Sequence, residues 1–264
     1  MQYTITSSTK KIPIYFGNKS SENLKKYIGT IEFDKLIVIT DTNVQGLRGK
    51  QLKNILSPLR SQFFTINPGE KYKTFETYQK LCDDILQFGI SKKSLIIAFG
   101  GGVVGNIAGF VASTLMRGIK FIHIPTTIIA QADSTTGGKQ AINSQYGKNL
   151  IGTFYEPEFI LIDPQYLTTL PKREIRCGIA ECIKHALCQD NDLLEKLENE
   201  NFDIDFLQDI IQKTITLKIN TIEKDRKEYN LGKVLVYGHT IGHALETLLK
   251  GEMNHGESIS IGMC

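Results

Sequence analysis

Three histidines near the end of the sequence have a spacing that suits a metal site. His239 and His243 stand four residues apart, and His255 follows sixteen residues after His239. Two histidines four apart on a helix share one face, so their imidazoles can converge on one point, which a histidine from the next segment can join. The small residues Gly238 and Gly242 would let another backbone or a ligand approach that helix closely. The pattern predicts a divalent metal site, with packed or capping histidines as the alternative.

A carboxylate that could complete this site lies upstream, in an apolar helical segment. The segment is Gly178–His185, in which Glu181 and Lys184 stand three residues apart and therefore on one helical face. Carboxylate oxygens and imidazole nitrogens are common ligands of zinc and related ions. The sequence thus offers Glu181 as an oxygen donor beside the histidines.

A run of three glycines follows an apolar strand in the first half of the chain. The strand Ser94–Phe99 opens into Gly100, Gly101 and Gly102 and then into a helical segment. Glycines at this point free the backbone amides to bind a diphosphate at the positive end of the helix. The spacing differs from GxGxxG, so the usual dinucleotide-binding inference does not transfer. We interpret the run as a diphosphate site, with a tight structural turn as the alternative.

Polar residues at other strand ends could contact the same ligand or a phosphate ester. Asp41 follows the strand Lys35–Thr40 and could accept hydrogen bonds from ribose hydroxyls, although a helix cap would have the same pattern. Lys139 follows two glycines, and Lys148 precedes Asn149, in a glycine-rich stretch of low charge. Cationic and amide donors on flexible backbone suit a phosphate ester, and ordinary surface lysines are the alternative.

The elements that must position these residues are predicted by hydrophobic periodicity. Strands are predicted at Lys11–Phe16, Lys35–Thr40, Phe63–Ile66, Ser94–Phe99, Lys120–Ile124 and Phe159–Asp163. Helices are predicted at Ser21–Tyr27, Thr74–Gln87, Lys172–Gln189, Asp205–Lys224, Val234–Leu249 and from His255 onward. We therefore predict an α/β nucleotide-binding domain at residues 1–170, with a mostly parallel, doubly wound sheet. An all-α metal- and substrate-binding domain would follow at residues 171–264, with a cleft between the two.

Composition and charge argue against several classes of partner. The 264 residues carry a formal net charge of +3 with acidic and basic residues interleaved, so no basic tract indicates nucleic acid or a membrane surface. No apolar run reaches membrane-spanning length, and the first residues lack a signal-peptide pattern, so we predict a cytoplasmic protein. Five cysteines without CxxC pairing predict reduced thiols rather than disulfides.

Several motifs together resemble one enzyme family. They are GGGVVGNIAG at 100–109, MRG at 116–118, PTT at 125–127, ADS at 132–134, GGK at 137–139, GKN at 147–149, AECIKH at 180–185, GHTIGHALE at 238–246 and HGES at 255–258. Their order over Asp41–Cys264 resembles the sugar-phosphate cyclases of the 3-dehydroquinate synthase family. The resemblance implies a dehydroquinate synthase-like fold, a homodimer, tightly held NAD and one divalent metal, zinc or cobalt.

The implied reaction converts a sugar phosphate into a carbocycle. In this family NAD takes hydride from a ring hydroxyl, phosphate leaves by elimination, the hydride returns, and an intramolecular aldol step closes the ring. The resemblance therefore implies a phosphate-eliminating carbon–oxygen lyase of the shikimate pathway, which supplies aromatic amino acids.

The resemblance also implies roles for individual positions of this sequence. The metal ligands would be Glu181, His239 and His255, whereas His243 would contact the substrate or relay a proton. The residues implied to hold NAD are Asp41, Glu70, Lys73, Gly101, Gly102, Thr126, Thr127, Asp133, Lys148, Thr169 and Leu170. The residues implied to contact the substrate are Lys139, Asn149, Lys184 and Lys218, together with Arg117, which would reach the phosphate in the neighbouring subunit.

Three positions depart from the dehydroquinate synthase pattern. Gly232 stands where those enzymes have an arginine that grips the substrate carboxylate, Val236 where they have asparagine, and Asn106 where they have aspartate. Glycine cannot replace a bidentate guanidinium, although Lys233 could approach as a point charge. Gly232 and Asn106 are closer to 2-deoxy-scyllo-inosose synthase, which takes glucose 6-phosphate. Both substrates therefore stay open.

Two further hypotheses concern function. A metal-dependent polyol dehydrogenase would share the architecture, although GGGVVGN and Glu181 differ from its usual pattern. The sequence also ends at Cys264 inside an apolar helical pattern without a stop signal, so we expect an incomplete helical domain. An inactive fragment that binds only NAD or metal is the remaining hypothesis.

Overall fold

A seven-stranded sheet forms the centre of the first part of the protein. The computed structural model describes residues 1–6, 10–198, 202–225, 228–249 and 252–264. The strands of this sheet are β1 (Gln2–Thr6), β2 (Lys11–Phe16), β3 (Leu36–Asp41), β4 (Ser61–Ile66), β5 (Leu95–Gly100), β6 (Lys120–Pro125) and β9 (Ile160–Ile162). Their order is β1-β2-β9-β6-β5-β3-β4, with β1 antiparallel to β2 and the other pairs parallel. A separate antiparallel hairpin consists of β7 (Lys139–Ser144) and β8 (Gly147–Phe154).

Helices cover both faces of the large sheet. They are α1 (Leu24–Ile28), α2 (Thr42–Leu56), α3 (Phe75–Phe88) and α4 (Gly102–Thr114). Ile37 and Ile39 of β3 pack in one core with α3 and α4, whereas Leu36 and Val38 pack in another with α1 and α2. Successive side chains of a strand point to opposite faces, and a parallel strand buried on both faces is a continuous apolar run. The predicted doubly wound α/β fold is confirmed.

Helices make up the rest of the described chain. They are α5 (Lys172–Gln189), α6 (Asn191–Leu197), α7 (Ile204–Lys224), α8 (His239–Leu248) and α9 (His255–Met263). The third core joins α5 and α7 to β2 and β9 through residues such as Cys182, Ile215 and Ile160. Among the residues that the structure describes, no helix is long and apolar enough to cross a membrane.

The predicted elements lie close to the observed ones, with two kinds of exception. The six predicted strands are present, but β1, α2, α6 and the β7–β8 hairpin were not predicted. The predicted single helix Val234–Leu249 is wrong. Residues Leu231–Val236 form a 3-10 turn, and Gly238 has a φ of 76°, which breaks the chain before α8. The break matters because it places His239 in the first turn of its helix.

Buried His123 on β6 is expected to make folding sensitive to acid. Burial lowers its pKa from 6.5 to about 3, so the folded protein keeps this imidazole neutral where the unfolded chain takes up a proton. Stability from this residue is therefore complete above pH 6.5 and is lost as the pH falls toward 3. We expect His123→Leu to reduce the stability lost between pH 7 and pH 4 by about 3 kcal/mol. Urea unfolding of both proteins at the two pH values measures this, and equal losses would contradict it.

Candidate active site

A cleft of about 1910 Å³ lies between the carboxyl edge of the sheet and the helical part. The carboxyl ends of parallel strands are the usual ligand-binding edge of such folds. Most predicted site residues line this cleft: Asp41, Glu70, Lys73, Gly101, Gly102, Thr126, Thr127, Asp133, Lys139, Lys148, Asn149, Thr169, Leu170, Lys218, His239, His243 and His255. Glu181 and Lys184 lie directly behind the histidines, each 1% exposed. Arg117 lies elsewhere, in the turn after α4.

Glu181, His239 and His255 meet at one point. The Glu181 Oε1 atom lies 3.0 Å from His255 Nε2 and 3.6 Å from His239 Nε2. The three ligand atoms all lie within 4.8 Å of one another. One carboxylate oxygen and two imidazole nitrogens, facing an open cleft, form the donor set of a catalytic zinc-type site. The residues present therefore fit a divalent metal ion.

Glycines bring the three helices that carry these donors close together. A Cβ on Gly256 would lie 2.2 Å from the backbone oxygen of Cys177, so only glycine lets the start of α9 rest on α5. A Cβ on Gly242 would lie 2.5 Å from Ile259 Cδ1, so α8 and α9 are also in close contact. His255 is the first residue of α9. Asn254 and Glu257 form a capping box at the start of this helix. This packing explains why His255 reaches Glu181, which lies one turn after Cys177.

Hydrogen bonds at the outer nitrogens orient both imidazoles. His239 Nδ1 lies 3.0 Å from the backbone oxygen of Tyr237, which leaves Nε2 directed at Glu181. His255 Nδ1 lies 3.3 Å from Glu246 Oε1. Metal-bound histidines typically donate their second N–H to a carbonyl or carboxylate in this way. Both imidazoles therefore have the orientation that a metal site requires.

Charges around Glu181 keep it ionised despite its burial. Burial raises the pKa of Glu181, but the Lys184 ammonium and the hydrogen bond with His255 outweigh it and lower the pKa to about 2. Lys184 Nζ donates to Glu181 Oε2 at 2.5 Å and to the backbone oxygen of Leu235 at 2.8 Å. Burial lowers the pKa of His255, but its bonds with Glu181 and Glu246 raise it to about 9. Glu181 is therefore an ionised carboxylate that can serve as an oxygen donor to a cation.

Asp133 and Lys218 form a second buried ion pair in the cleft. Lys218 Nζ donates to Asp133 Oδ1 at 2.7 Å, and His185 Nε2 lies 3.3 Å from the same oxygen. Burial raises the pKa of Asp133, but the nearby charges of Lys218 and Lys184 outweigh it and hold the pKa well below its usual value. Asp133 lies in a π-helical turn, Ala130–Ser134, a local distortion that is frequent at functional sites. Burial lowers the pKa of Lys218 and Asp133 opposes that shift, so the ion pair holds the lysine at a fixed position in the cleft.

The triple-glycine bend has the features of a diphosphate site. Gly101 precedes the first turn of α4, and among the described residues no side chain caps that turn. A Cβ on Gly101 would lie 2.9 Å from Thr127 Cγ2, so the bend is closely packed against the end of β6. Thr126 Oγ1 is buried and has no hydrogen-bond partner in the described part of the chain. Open helix amides and an unpaired buried hydroxyl fit an anionic cofactor at this edge.

Asn143 connects the β7–β8 hairpin to the turn that follows β4. Its Nδ2 donates to Glu70 Oε1 at 2.8 Å, and its Oδ1 accepts from the backbone N–H of Asn149 at 3.0 Å. Lys73, which is 3% exposed, also donates to Asn149 Oδ1. Glu70 and Lys73 were implied by the resemblance, and Asn149 was also a candidate from its own position beside Lys148; the structure brings the three together at the hairpin.

Other predicted residues have structural roles as well. Asp41 Oδ1 accepts from the backbone N–H of Val44 at 2.9 Å, so Asp41 caps α2, which was the alternative interpretation. Lys139 forms an ion pair with Glu228 at the mouth of the cleft. Glu246, the last residue of the GHTIGHALE motif, is 5% exposed and contacts His255, a role that the sequence did not predict. Its position seven residues after His239 was the available signal, because residues seven apart share a helical face.

The fold and the site define a nucleotide-binding α/β protein joined to a helical metal centre. Residues 63–177 match the family model described as 3-dehydroquinate synthase N-terminal, and residues 178–264 match 3-dehydroquinate synthase C-terminal. The chain belongs to the 3-dehydroquinate synthase family. The predicted resemblance is thus confirmed, as is the prediction of a phosphate-eliminating carbon–oxygen lyase.

Individual relatives agree with this membership. A 3-dehydroquinate synthase from Thermoanaerobacter sp. (strain X514) is 43% identical over 98% of this chain and 76% of its own length. A crystal structure of 2-deoxy-scyllo-inosose synthase, complexed with carbaglucose-6-phosphate, NAD+ and Co2+, has a TM-score of 0.89 and 33% identity over 100% of this chain and 75% of that one. ValA, a 2-epi-5-epi-valiolone synthase from Streptomyces hygroscopicus subsp. jinggangensis 5008 with NAD+ and Zn2+ bound, has a TM-score of 0.86 and 27% identity over 98% and 74%.

Proposed function

We propose that this protein converts a sugar phosphate into a carbocycle with release of phosphate, as a 3-dehydroquinate synthase. NAD and one divalent ion, zinc or cobalt, would be its cofactors, as in the related cyclase structures. The observation that carries the proposal is the convergence of Glu181, His239 and His255 at a cleft that also contains the triple-glycine bend. A metal site beside a dinucleotide site is the combination that the family's reaction requires.

The chain's own residues hold the two cofactors in distinct parts of the cleft. Glu181, His239 and His255 would bind the metal, and the bend at Gly101 and Gly102 would bind the diphosphate of NAD. When bound, the ion would lower the pKa of a substrate hydroxyl, and NAD would accept and return a hydride. The remaining residues implied to hold NAD are Asp41, Glu70, Lys73, Thr126, Thr127, Asp133, Lys148, Thr169 and Leu170.

Lysines supply the positive charge that a phosphate ester needs. Lys218 is held by Asp133, and Lys139 and Lys148 reach the cleft from the hairpin. Asn149 presents its amide beside them, while His243 lies next to the metal ligands, with its ring centroid 5.1 Å from that of His239. We infer that these residues orient the substrate, whose leaving phosphate carries most of its charge. Lys184 lies behind Glu181 and would affect the site only through its ion pair with that carboxylate.

The surroundings of Gly232 and Val236 bear on which sugar phosphate is the substrate. A Cβ on Gly232 would lie 2.7 Å from the backbone oxygen of Asp225, so an arginine could not occupy this place without movement of the loop. Val236 lines the cleft with an apolar side chain that is 43% exposed. These two positions favour a substrate without a carboxylate, so glucose 6-phosphate is our second candidate. A 3-dehydroquinate synthase that is 43% identical to this chain favours the seven-carbon deoxy-heptulosonate phosphate.

Phosphate release from both substrates tests the proposal. We expect the metal-loaded protein with NAD+ to release inorganic phosphate from the deoxy-heptulosonate phosphate without accumulating NADH. Glucose 6-phosphate in a parallel reaction serves as the matched comparison, and turnover of it instead would support the second candidate. Accumulation of NADH with a polyol would identify a dehydrogenase. Release from neither substrate by protein that binds NAD and metal would indicate the binding-only hypothesis and contradict both cyclase assignments.

We also infer a homodimer in which Arg117 serves the neighbouring subunit. Arg117 lies beyond the end of α4 whose first turn faces the cleft, and a helix of 13 residues is about 20 Å long. This distance from the cleft of its own chain supports a role of Arg117 at the site of a neighbouring subunit. Light scattering that gives the mass of a single 29.6 kDa chain would contradict this inference. The cytoplasmic location stays a prediction, which cell fractionation would test.

A further inference from the structure

Glu246 is a buried carboxylate at the junction between the hairpin and the metal centre. Its side chain is 3% exposed and projects from α8 toward His255. Its Oε1 atom lies 3.3 Å from His255 Nδ1 and 2.9 Å from Lys148 Nζ. Its Oε2 atom is buried and has no hydrogen-bond partner within the described ranges. Burial of a carboxylate with one unpaired oxygen is costly, so packing alone does not explain this residue.

The contact with His255 fixes the orientation of a metal ligand. His255 has Glu181 at Nε2 and Glu246 at Nδ1, so carboxylates hold its imidazole at both nitrogens. The partner of one ring nitrogen determines the tautomer and the direction of the other. With Glu246 in place, Nε2 is presented to the metal position.

The contact with Lys148 comes from the opposite wall of the cleft. Lys148 stands at the start of β8, and the neighbouring Asn149 is held by Asn143 and by Lys73. Lys148 therefore approaches Glu246 from a hairpin that is itself held by Lys73, in the segment between β4 and α3. The chain of contacts runs from this segment through the hairpin, Lys148 and Glu246 to His255.

We propose that Glu246 is a positioning residue that aligns His255 for the metal, and that Lys148 acts on the metal through Glu246. The proposal rests on the metal centre proposed above. It assigns to Lys148 a second role besides contact with NAD. Metal affinity thus depends on a lysine that is not a ligand and that belongs to the nucleotide-binding half of the molecule.

Co2+ affinity of the purified protein tests the role of Glu246. We expect Glu246→Gln, which keeps the shape of the side chain, to weaken Co2+ binding about 10- to 100-fold. The visible Co2+ absorption spectrum at saturation should keep its form, because the three ligands are unchanged. Glu252→Gln is the matched control, because Glu252 is exposed and three residues from His255, and it should change affinity less than twofold. Glu246→Asp, which retains the charge, should recover part of the loss.

A double-mutant cycle tests the role of Lys148. Lys148→Met alone should weaken Co2+ binding about fivefold, and adding it to Glu246→Gln should cause no further loss, because Lys148 acts through Glu246. Independent, multiplying losses would overturn the proposed chain of contacts. Unchanged affinity in Glu246→Gln, with wild-type binding of one Co2+ per chain, would overturn the role of Glu246. Failure of the wild-type protein to bind Co2+ would instead contradict the metal centre itself.

Discussion

His239→Ala is expected to weaken binding of Co2+ or Zn2+ about 100- to 1000-fold and to abolish detectable phosphate release. Zinc sites with four protein ligands bind with about 10 to 16 kcal/mol, so loss of one donor removes roughly 3 to 4 kcal/mol. His239 supplies one of three donors here, and its Nε2 lies 3.6 Å from Glu181 Oε1. Competition with a chromophoric chelator measures the affinity, and thermal unfolding confirms that the variant is folded.

His243→Ala is the control that separates a ligand from a substrate contact. His243 lies four residues after His239, and its ring centroid is 5.8 Å from that of His255. The sequence spacing of His239 and His243 does not show which of the two binds the metal. In the structure His239, rather than His243, faces Glu181. We expect His243→Ala to keep metal affinity within about threefold while turnover falls by about 100-fold or more. An equal loss of metal affinity in both variants would show that the ligand assignment is wrong.

Lys184→Met is expected to destabilise the metal-free protein by about 3 to 5 kcal/mol. Lys184 is 1% exposed, and its ammonium is the cation that compensates the buried carboxylate of Glu181. Methionine fills a similar volume, but it leaves Glu181 without that charge and the backbone oxygen of Leu235 without its donor. Urea unfolding in the presence of a chelator measures the change in the free energy of unfolding.

Lys196→Met provides the comparison for Lys184→Met. The side chain of Lys196 is 38% exposed and pairs with Asp209 on the surface, where such pairs contribute about 0 to 1 kcal/mol. A saturating divalent ion should stabilise the Lys184 variant as well, because the ion supplies positive charge beside Glu181. If the two lysine variants lost equal stability without metal, the compensating role of Lys184 would be refuted.

Hydrophobic periodicity predicted the parts of the fold where local and tertiary preferences agree. Strands β3 and β5 are buried on both faces, so their apolar sequences are unambiguous. The hairpin was missed because the apolar residues of β8 (Leu150, Ile151 and Phe154) do not alternate with polar ones and are exposed, so β8 lacks the pattern that marks a strand. Helix α2 was missed because its sequence lacks a pronounced apolar face. Only three of its fifteen residues are buried.

The residue types and their order were sufficient to indicate the family, and the resemblance to that family implied which residues are the candidate metal donors. A histidine pair, a glutamate on an apolar helix and a glycine run after a strand are local patterns, and their combination in the order of one family indicates their chemical use. The sequence could not show which nitrogen of His255 faces Glu181, or that Glu246 and Lys148 meet behind it. Those contacts join residues up to 98 positions apart in the sequence, from Lys148 to Glu246. Only the close packing of α5, α8 and α9 through Gly242 and Gly256 brings them within hydrogen-bonding distance.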